Sequence, residues 1–245
     1  MRDPRELAGA WARHQRHAFI APAPDLGALV AHLWCVEWDY DEPYRQKIVP
    51  YPNVHVTVRP GERPRLQGVV TGHVERELVG RSRVVGAQLK VGVFRSSLGG
   101  PVGDVTDRVV DDWGPDGIDD VDAFQAHLRT VLRPPDAAGL EAAGIVEMIR
   151  TDPGLTRVDA VAAACGVGVR SLQRLFVEHV GVTPKWVVRR YRLHEVTERM
   201  GAPGVIDWAA LAAELGYADQ PHLVRDFTRM FGEPPTAYAA RYAGR

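Results

Sequence analysis

The chain has 245 residues, of which 45% are hydrophobic and 25% are charged, and its formal net charge is −1. These values are ordinary for a globular chain and exclude a mainly disordered protein, a coiled-coil rod and a collagen. No run of about 18 apolar residues occurs, so no membrane-spanning helix is predicted.

The expected compartment is a reducing cytoplasm. The two cysteines, Cys35 and Cys165, are too few for a disulfide scaffold or a zinc cluster, and each is expected to pack as a small hydrophobe. Residues 1–10 carry both signs of charge and have no apolar core, unlike a secretory signal.

The N-terminal part, to about Gly114, has the pattern of short strands separated by glycine and proline. Val54, Val56 and Val58 alternate with polar residues, which predicts a strand with one buried face. Further strands are predicted at residues 30–38, 66–70 and 84–91. Four aromatic residues are expected in the core of this part, where they would also line any pocket: Trp34, Trp38, Tyr51 and Phe94.

An amphipathic helix is predicted at about 119–132, because Val121, Phe124 and Leu128 recur at helical spacing. Prolines at 134 and 135 end this helix and indicate a domain boundary. The predicted division is a β-containing domain at 1–118, a linker helix at 119–135 and a helical domain at 136–245.

Start and stop signals divide the rest of the chain into helices. Thr156 with Asp159 three residues later resembles a capping box. Gly201 is placed to end a helix. The other predicted helix starts are capped by Asp136, by Thr183 followed by Pro184, by Asp207 and by Asp219.

An internal repeat is the strongest signal in this sequence. Leu172 and Phe176 in the first copy correspond to Leu223 and Phe227 in the second. In both copies a glycine follows the phenylalanine by five residues and a proline follows it by eight. The separation of about fifty residues indicates two copies of one supersecondary unit.

Each copy is typical of a helix-turn-helix. A short Ala-rich helix ends at Gly166 or Gly216, and a longer helix then begins, with its leucine and phenylalanine facing inward. The second helix of such a unit enters the major groove of DNA. The predicted fold class is therefore α+β, with a β-rich N-terminal domain followed by an all-α C-terminal domain containing two helix-turn-helix units joined by a long helix.

The outward faces of the longer helices carry the candidate DNA-binding residues. Arg174 and Arg225 both lie two residues before the repeated phenylalanine, and arginine can bind guanine bidentately or clamp a phosphate. Gln173 and Gln220 can read adenine edges. The expected DNA-contacting residues are Arg170, Ser171, Gln173, Arg174, Arg190, Gln220, His222, Arg225 and Arg229.

A local excess of positive charge favours a polyanionic partner. Between Gly166 and Arg192 six basic residues stand against one acidic residue, Glu178, which makes the local charge +5. The basic residues are Arg170, Arg174, Lys185, Arg189, Arg190 and Arg192. For the last three, both a phosphate contact and an intramolecular salt bridge remain open.

Residues of both copies closely resemble the C-terminal DNA-binding domain of AraC/XylS-type transcription regulators. The resemblance covers about residues 137–240 and implies two helix-turn-helix units set in successive major-groove segments. Pro221 stands where many relatives have Gln or Ser, which implies poorer base reading by the second unit. The residues that carry the resemblance are Ala162, Gly166, Leu172-Gln173-Arg174-Leu175-Phe176, Gly181, Thr183-Pro184, Arg192-Leu193, Ala212, Leu215-Gly216-Tyr217, Leu223, Arg225-Asp226-Phe227, Gly232 and Pro234-Pro235.

The N-terminal half resembles an uncharacterised β-rich head found before such domains, through residues 50–55 and 86–95. In the wider family this position often holds a sensor or dimerisation module, a likeness of fold that identifies no ligand. No Ser-His-Asp spacing, glycine-rich phosphate loop or paired-carboxylate site stands out, so no enzymatic activity and no cofactor are expected.

The predicted function is that of a sequence-specific transcription regulator that binds double-stranded DNA. RNA polymerase, a small-molecule effector and a second copy of the chain are the further candidate partners. The alternative is a ligand-sensing regulator whose head is an enzyme-like or metal-binding module, for which His55 and His73 are the candidate ligands.

Overall fold

The computed structural model describes residues 15–201 and 204–240. Residues 1–10, to which the prediction about a secretory signal applies, lie outside these ranges. The strands are β1 (Gln15–Ile20), β2 (Val30–Ile48), β3 (His55–Val58), β4 (Arg65–Gln67), β5 (Val74–Leu89) and β6 (Val109–Val110). The helices are α1 (Arg95–Leu98), α2 (Val121–Val131), α3 (Ala137–Thr151), α4 (Val158–Ala164), α5 (Val169–His179), α6 (Pro184–Met200), α7 (Trp208–Glu214), α8 (Gln220–Phe231) and α9 (Pro235–Ala240).

The strands of the described residues form one antiparallel sheet in the order β1-β2-β5-β3-β4-β6. Its long members, β2 and β5, pair from Val30 opposite Leu89 to Ile48 opposite Val74. Helices follow the sheet in the chain. The predicted α+β class, with a β-rich N-terminal part and a helical C-terminal part, is confirmed.

Two strands extend well past the predicted bounds. The strand expected at 30–38 continues to Ile48, and the one expected at 84–91 begins at Val74. Charged residues such as Glu75 and Glu77 are exposed on one face of the extension. Its other face lines a cavity and carries only a small hydrophobic cluster around Leu78, separate from the main core, so the hydrophobic alternation that marks a half-buried strand is weak there. Strand β1, which pairs with β2, was not predicted.

The two faces of the sheet have different surroundings. One face carries fully buried side chains, among them Leu33, Val56, Leu66 and Leu89, which belong to the main hydrophobic core. Phe94, which follows the sheet, is also in this core, as predicted. The opposite face lines the cavity described below, so only one face of the sheet is used for packing against helices.

Both cysteines are packed against the main core. Cys35 and Cys165 are free and partly buried there. Burial raises the pKa of each thiol, which disfavours the reactive thiolate. Their environment agrees with the predicted packing role.

Helix α2, the predicted linker, packs onto the head. Phe124 and Leu128 are both 0% exposed and lie in the core shared with the sheet. Arg129 holds Asp25 with two hydrogen bonds, of 2.6 and 3.1 Å, and the Gln125 side chain accepts a hydrogen bond from the Ala23 backbone at 2.7 Å. This packing argues against a free hinge at α2.

Most of the predicted helix caps are confirmed. The side chains of Asp136, Thr183, Asp207 and Asp219 accept backbone hydrogen bonds at the starts of α3, α6, α7 and α8. Gly201 is the C-cap of α6, although its φ of −81° is not left-handed.

The predicted capping box at Thr156 is wrong. Helix α4 starts one residue later than expected, with Arg157 as the N-cap residue and no side-chain cap. Asp159 instead pairs with Arg157 at 2.8 Å, and Thr156 lies against Gly216.

The two helix-turn-helix units belong to different hydrophobic clusters. Helices α4 and α5, bent by 94° relative to each other, share the main core with the sheet through Val161, Leu172 and Phe176. Helices α7 and α8 form a second cluster with the end of α6 and with α9, and Val49 of the head joins it. Among the described residues no single helix is long and apolar enough to cross a membrane. Only α4 and α5 taken together have that length and composition, and they are bent relative to each other.

Candidate DNA-binding surface and head cavity

The first unit presents a polar face on α5. Leu172 and Phe176 are 1% and 0% exposed and hold one side of the helix to the core. The N-terminal part of a recognition helix is the part that approaches base edges. Four predicted contact residues are exposed in this part of α5: Arg170, Ser171, Gln173 and Arg174.

The second unit repeats this arrangement on α8. Asp219 accepts a hydrogen bond from the His222 backbone at 2.7 Å, which fixes the start of the helix, and Pro221 fits in its first turn. Leu223 and Phe227 are both 0% exposed. The His222 side chain is half-exposed. The other predicted contact residues are exposed: Gln220, Arg225 and Arg229.

Arg190 does not lie on this surface, and its predicted DNA contact is wrong for this structure. Its side chain is 0% exposed. Its Nε donates a hydrogen bond to the Pro50 carbonyl oxygen, and its guanidinium carbon lies 3.9 Å from the centroid of the Tyr51 ring. A guanidinium held in this way inside the protein cannot reach a phosphate.

The two neighbouring arginines are also used internally. Arg189 forms an ion pair with Asp226, which is 5% exposed and so does not oppose a polyanion on the surface. Arg192 donates to the carbonyl oxygens of Leu215 and Leu155, at 2.8 and 3.2 Å. Of the six basic residues in the charged stretch, the exposed ones are Arg170, Arg174 and Lys185.

The C-terminal ends of α5 and α8 both dock on the head, at glycines that are equivalent in the repeat. Gly181 and Gly232 have φ values of 90° and 77°, where glycine is favoured. A Cβ at Gly181 would lie 2.9 Å from a methyl group of Val102, and one at Gly232 would lie 2.7 Å from the His73 ring. The head therefore covers the same end of both helices and leaves their N-terminal ends exposed.

Ion pairs and hydrogen bonds reinforce this docking. Arg95 pairs with Glu178 at the end of α5 at 2.8 Å, and Lys47 pairs with Glu233 after α8 at 3.4 Å. The Thr106 hydroxyl also donates to the Gly181 carbonyl oxygen, at 2.5 Å. Each unit is thus held to the head by one charged contact beside its conformationally special glycine.

A cavity of about 470 Å³ lies on the second face of the sheet. This volume is in the range of small-molecule sites, about 300–1,000 Å³. Trp34, Trp38 and Tyr51 line it, as predicted, whereas Phe94 does not. Many of its apolar side chains come from alternate positions of β2 and β5, among them Trp34, Val36, Trp38, Ile48, Leu78 and Val84.

Four arginines also line the cavity, and they differ in their partners. Arg63 pairs with Asp116 at 3.0 Å, and Arg65 pairs with Asp111 at 2.9 Å. Arg59 lies 5.6 Å from the centroid of the Trp38 ring, a cation–π contact. The fourth, Arg76, is exposed in part; desolvation of its covered portion lowers its pKa, and the nearby positive charges of Arg59 and Arg65 lower it further.

One wall of the cavity is also the contact with the helical domain. Val49, Pro50 and Tyr51 line the cavity. Pro50 and Tyr51 are the residues that hold Arg190 of α6, and the Tyr51 hydroxyl shares a hydrogen bond of 3.2 Å with His194 Nδ1. Burial lowers the pKa of His194, and the charge of Arg190 lowers it further.

The two histidines considered for a metal site have different neighbours. His55 lines the cavity and packs edge-on against Trp34, with ring centroids 6.4 Å apart. His73 lies against Gly232 of the second unit. Within residues 15–201 and 204–240, no group of three or more His, Cys, Asp or Glu side chains is placed to hold a metal ion.

The cavity does contain carboxylates, but arginine engages them. Glu62 and Asp111 both face Arg65, at 3.4 and 2.9 Å. Both carboxylates thus balance part of the positive charge of the lining.

Comparison with known families agrees with the geometry of the helical part. Residues 161–241 match the family described as "Helix-turn-helix domain". This match identifies the segment as an AraC-type helix-turn-helix domain. The general prediction, a transcription regulator that binds DNA, is confirmed. Residues 18–111 match a "Domain of unknown function (DUF6597)", which coincides with the sheet that precedes the AraC-type domain.

Several solved structures are distantly similar. An AraC-type transcriptional regulator from Chromobacterium violaceum is 20% identical, covers 44% of this chain and 97% of its own, and has a TM-score of 0.39. The C-terminal domain of AraT, a response regulator from Geobacillus stearothermophilus, is 17% identical, with coverages of 42% and 84% and a TM-score of 0.37. ToxT from Vibrio cholerae, bound to a naphthalenyl butenoic acid, is 11% identical, with coverages of 94% and 99% and a TM-score of 0.42. Nothing about ligands or function follows from likenesses at this distance, and no curated protein matches the chain significantly.

Two aspects of the site were not visible in the sequence. The cavity cations Arg59 and Arg76 lie in polar stretches without a motif, and only the folded sheet brings Arg59, which follows β3, and Arg76 of β5 to one cavity. The burial of Arg190 in the AraC-type domain depends on a head segment 140 residues earlier in the chain. One indirect signal of this burial was present in the sequence. Arg190 lies three residues after Val187 and three before Leu193, so it shares a helix face with two apolar residues that are buried.

Proposed function

We propose that this chain binds double-stranded DNA sequence-specifically by placing the N-terminal parts of α5 and α8 in successive major-groove segments. The observation that carries the proposal is the repeat in three dimensions. Arg174 and Arg225 are exposed at the same unit position, and in each unit the phenylalanine two residues later is 0% exposed. Two similar helices thus offer similar chemistry to two stretches of one duplex.

The exposed side chains have complementary roles in this proposal. Arg174 and Arg225 bind guanine edges or phosphates, and Gln173 and Gln220 read adenine. Arg170, Ser171, His222 and Arg229 position the helices on the sugar–phosphate backbone. Arg190 belongs to the internal contact with the head and has no part in this surface.

Selection from a randomised duplex library by band shift tests this proposal. Two specified blocks about one helical turn apart are expected, because the two helices occupy successive groove segments. The double variant R174A/R225A should lose the selection, and R81A, which changes an exposed arginine on β5, should keep it. A selected site with a single block, or selection that survives R174A/R225A, would contradict the proposal.

We also propose that a small-molecule effector in the head cavity controls DNA binding. The shared wall favours this, because Val49, Pro50 and Tyr51 line the cavity and contact α6 or the second hydrophobic cluster. Filling the cavity would shift this wall and, through it, the helix that joins the two units.

A ligand-independent test uses a larger side chain inside the cavity. Val84→Phe places a ring in the empty space, and Val79→Phe, at a 56% exposed position outside the cavity, is the matched control. Val84→Phe is expected to change DNA affinity at least about threefold, which corresponds to about 0.7 kcal/mol. Equal DNA affinity for both variants, with circular dichroism unchanged, would remove the case for effector control.

A further inference from the structure

The apolar part of the cavity is a wall of strand side chains. Trp34 and Trp38 lie two residues apart on β2, and Val84 and Leu78 come from the paired strand β5. Their side chains point to the same face because strand residues alternate. This wall is suited to an aromatic or aliphatic body.

The polar part carries an excess of positive charge. Four arginines line the cavity together with two carboxylates, Glu62 and Asp111. Arg63 and Arg65 have carboxylate partners. Within residues 15–201 and 204–240, Arg59 and Arg76 form no ion pair with a carboxylate. No carboxylate in this part of the chain therefore neutralises their charges.

The two cations line the same cavity. The positive charge of Arg59 contributes to the lowered pKa of Arg76, after the larger effect of partial desolvation. An anion between the two guanidinium groups would remove this repulsion and add charge-assisted hydrogen bonds. Arg59 also contacts the Trp38 ring, so the cationic and apolar parts of the cavity are adjacent.

We infer that the head cavity binds an organic anion with an apolar body, its carboxylate or similar group held by Arg59 and Arg76 and its body against Trp34 and Trp38. This inference rests on the proposed effector cavity and names the chemical class of the effector. A volume of about 470 Å³ is within the range of small-molecule sites and is large enough for such an anion.

Direct binding to the full chain, without DNA, tests the inference. The probes are decanoate and 2-naphthoate, and the neutral controls are decanol and 2-naphthalenemethanol. Tryptophan fluorescence and calorimetry report binding, because Trp34 and Trp38 line the cavity. At least one acid is expected to bind about tenfold or more tightly than its matched alcohol, since one charge-assisted hydrogen bond is worth about 1.5–3 kcal/mol.

Variants locate the anionic group. Arg59→Gln and Arg76→Gln are each expected to weaken acid binding about tenfold and to leave alcohol binding unchanged, whereas R81Q, outside the cavity, should change neither. Alcohols that bind as tightly as acids, no acid binding up to 1 mM (a Kd above about 1 mM), or full acid affinity in R59Q/R76Q would overturn the inference.

The DNA experiments remain a separate readout. Ligand-free wild type and R59Q/R76Q are both expected to select the same duplex sites, because neither arginine lies on α5 or α8. Acid binding without any DNA selection would refute the proposed regulator and leave the anion site standing. DNA selection without acid binding would refute the anion site and leave the proposed regulator standing.

Discussion

Arg190 of the linking helix α6 stacks on Tyr51 of the head, with the guanidinium carbon 3.9 Å from the ring centroid. Its Nε donates to the Pro50 carbonyl oxygen, and the side chain is 0% exposed. A buried cation is costly unless its donors and charge are compensated. Here the Tyr51 ring and a backbone carbonyl engage part of the guanidinium, whereas its Nη1 is buried without a hydrogen-bond partner among the described residues. The contact ties the position of α6 to the wall of the cavity.

Lysine at position 190 should weaken this contact. Arg190→Lys keeps the charge but loses the planar guanidinium that stacks on Tyr51. The free energy of unfolding, measured by urea titration, is expected to fall by about 1–3 kcal/mol. Arg199→Lys, at a half-exposed position of the same helix, is the control and should change it by less than about 0.5 kcal/mol. Equal stability of the two variants would show that the stacking contributes nothing.

The docking glycine of the second unit can be tested with a conformationally matched control. Gly232→Ala introduces a Cβ at a φ of 77° and 2.7 Å from the His73 ring, whereas Gly61→Ala has a φ of 74° and no atom within 4 Å. Both substitutions incur the backbone cost of about 1 kcal/mol, and only the first also displaces the head.

The free energy of unfolding is therefore expected to fall by at least about 1 kcal/mol more for Gly232→Ala than for Gly61→Ala. Adding His73→Ala should recover this difference but not the part shared with Gly61→Ala. Identical losses for both glycine variants would mean that the contact with His73 is easily displaced.

The role of Arg225 can be read from the pattern of its affinity loss. Arg225→Ala should cost about 1–3 kcal/mol of DNA binding and relax the preference at one base pair if the side chain reads a base. A uniform loss over all sequences, with the slope of log affinity against log salt reduced by about one, would instead identify a phosphate contact. Band-shift titrations over a randomised site library distinguish the two, and unchanged affinity would remove Arg225 from the surface.

Acid should destabilise the contact between head and α6. Burial, and then the charge of Arg190, lower the pKa of His194 from its ordinary value of 6.5. The unfolded chain therefore takes up a proton before the folded chain as the pH falls through 6.5, and this favours unfolding. The loss is at most about 1.4 kcal/mol per pH unit for one histidine.

Urea unfolding at pH 7.5 and pH 5.5 measures this effect. Wild type should lose more stability than His194→Gln between the two pH values, with a remaining loss in the variant from His127, whose pKa burial also lowers. A pH dependence that is the same in both proteins would show that His194 does not carry the effect.

Local signals accounted for much of the helical half. The spacing of Leu172 and Phe176, repeated at Leu223 and Phe227, identified two units whose inward residues are all nearly fully buried. The caps at Asp136, Thr183, Asp207 and Asp219 were also visible, because a cap acts within three residues of the helix start. The head was less visible, since the parts of β2 and β5 beyond the main core have exposed charged residues on one face and a cavity on the other.

The amino-acid order alone was enough to specify the repeat, the orientation of each recognition helix about its own axis and the exposed arginines, because helical periodicity and capping depend on near neighbours. Whether a charged residue of α6 faced DNA or the protein depended on contacts between distant segments. Arg190 and Arg174 look alike in the sequence, yet one meets Pro50 and Tyr51 and the other meets solvent. The cavity and its cations arise in the same way, since the folded sheet brings Arg59, which follows β3, and Arg76 of β5 to one cavity from positions that no local pattern connects.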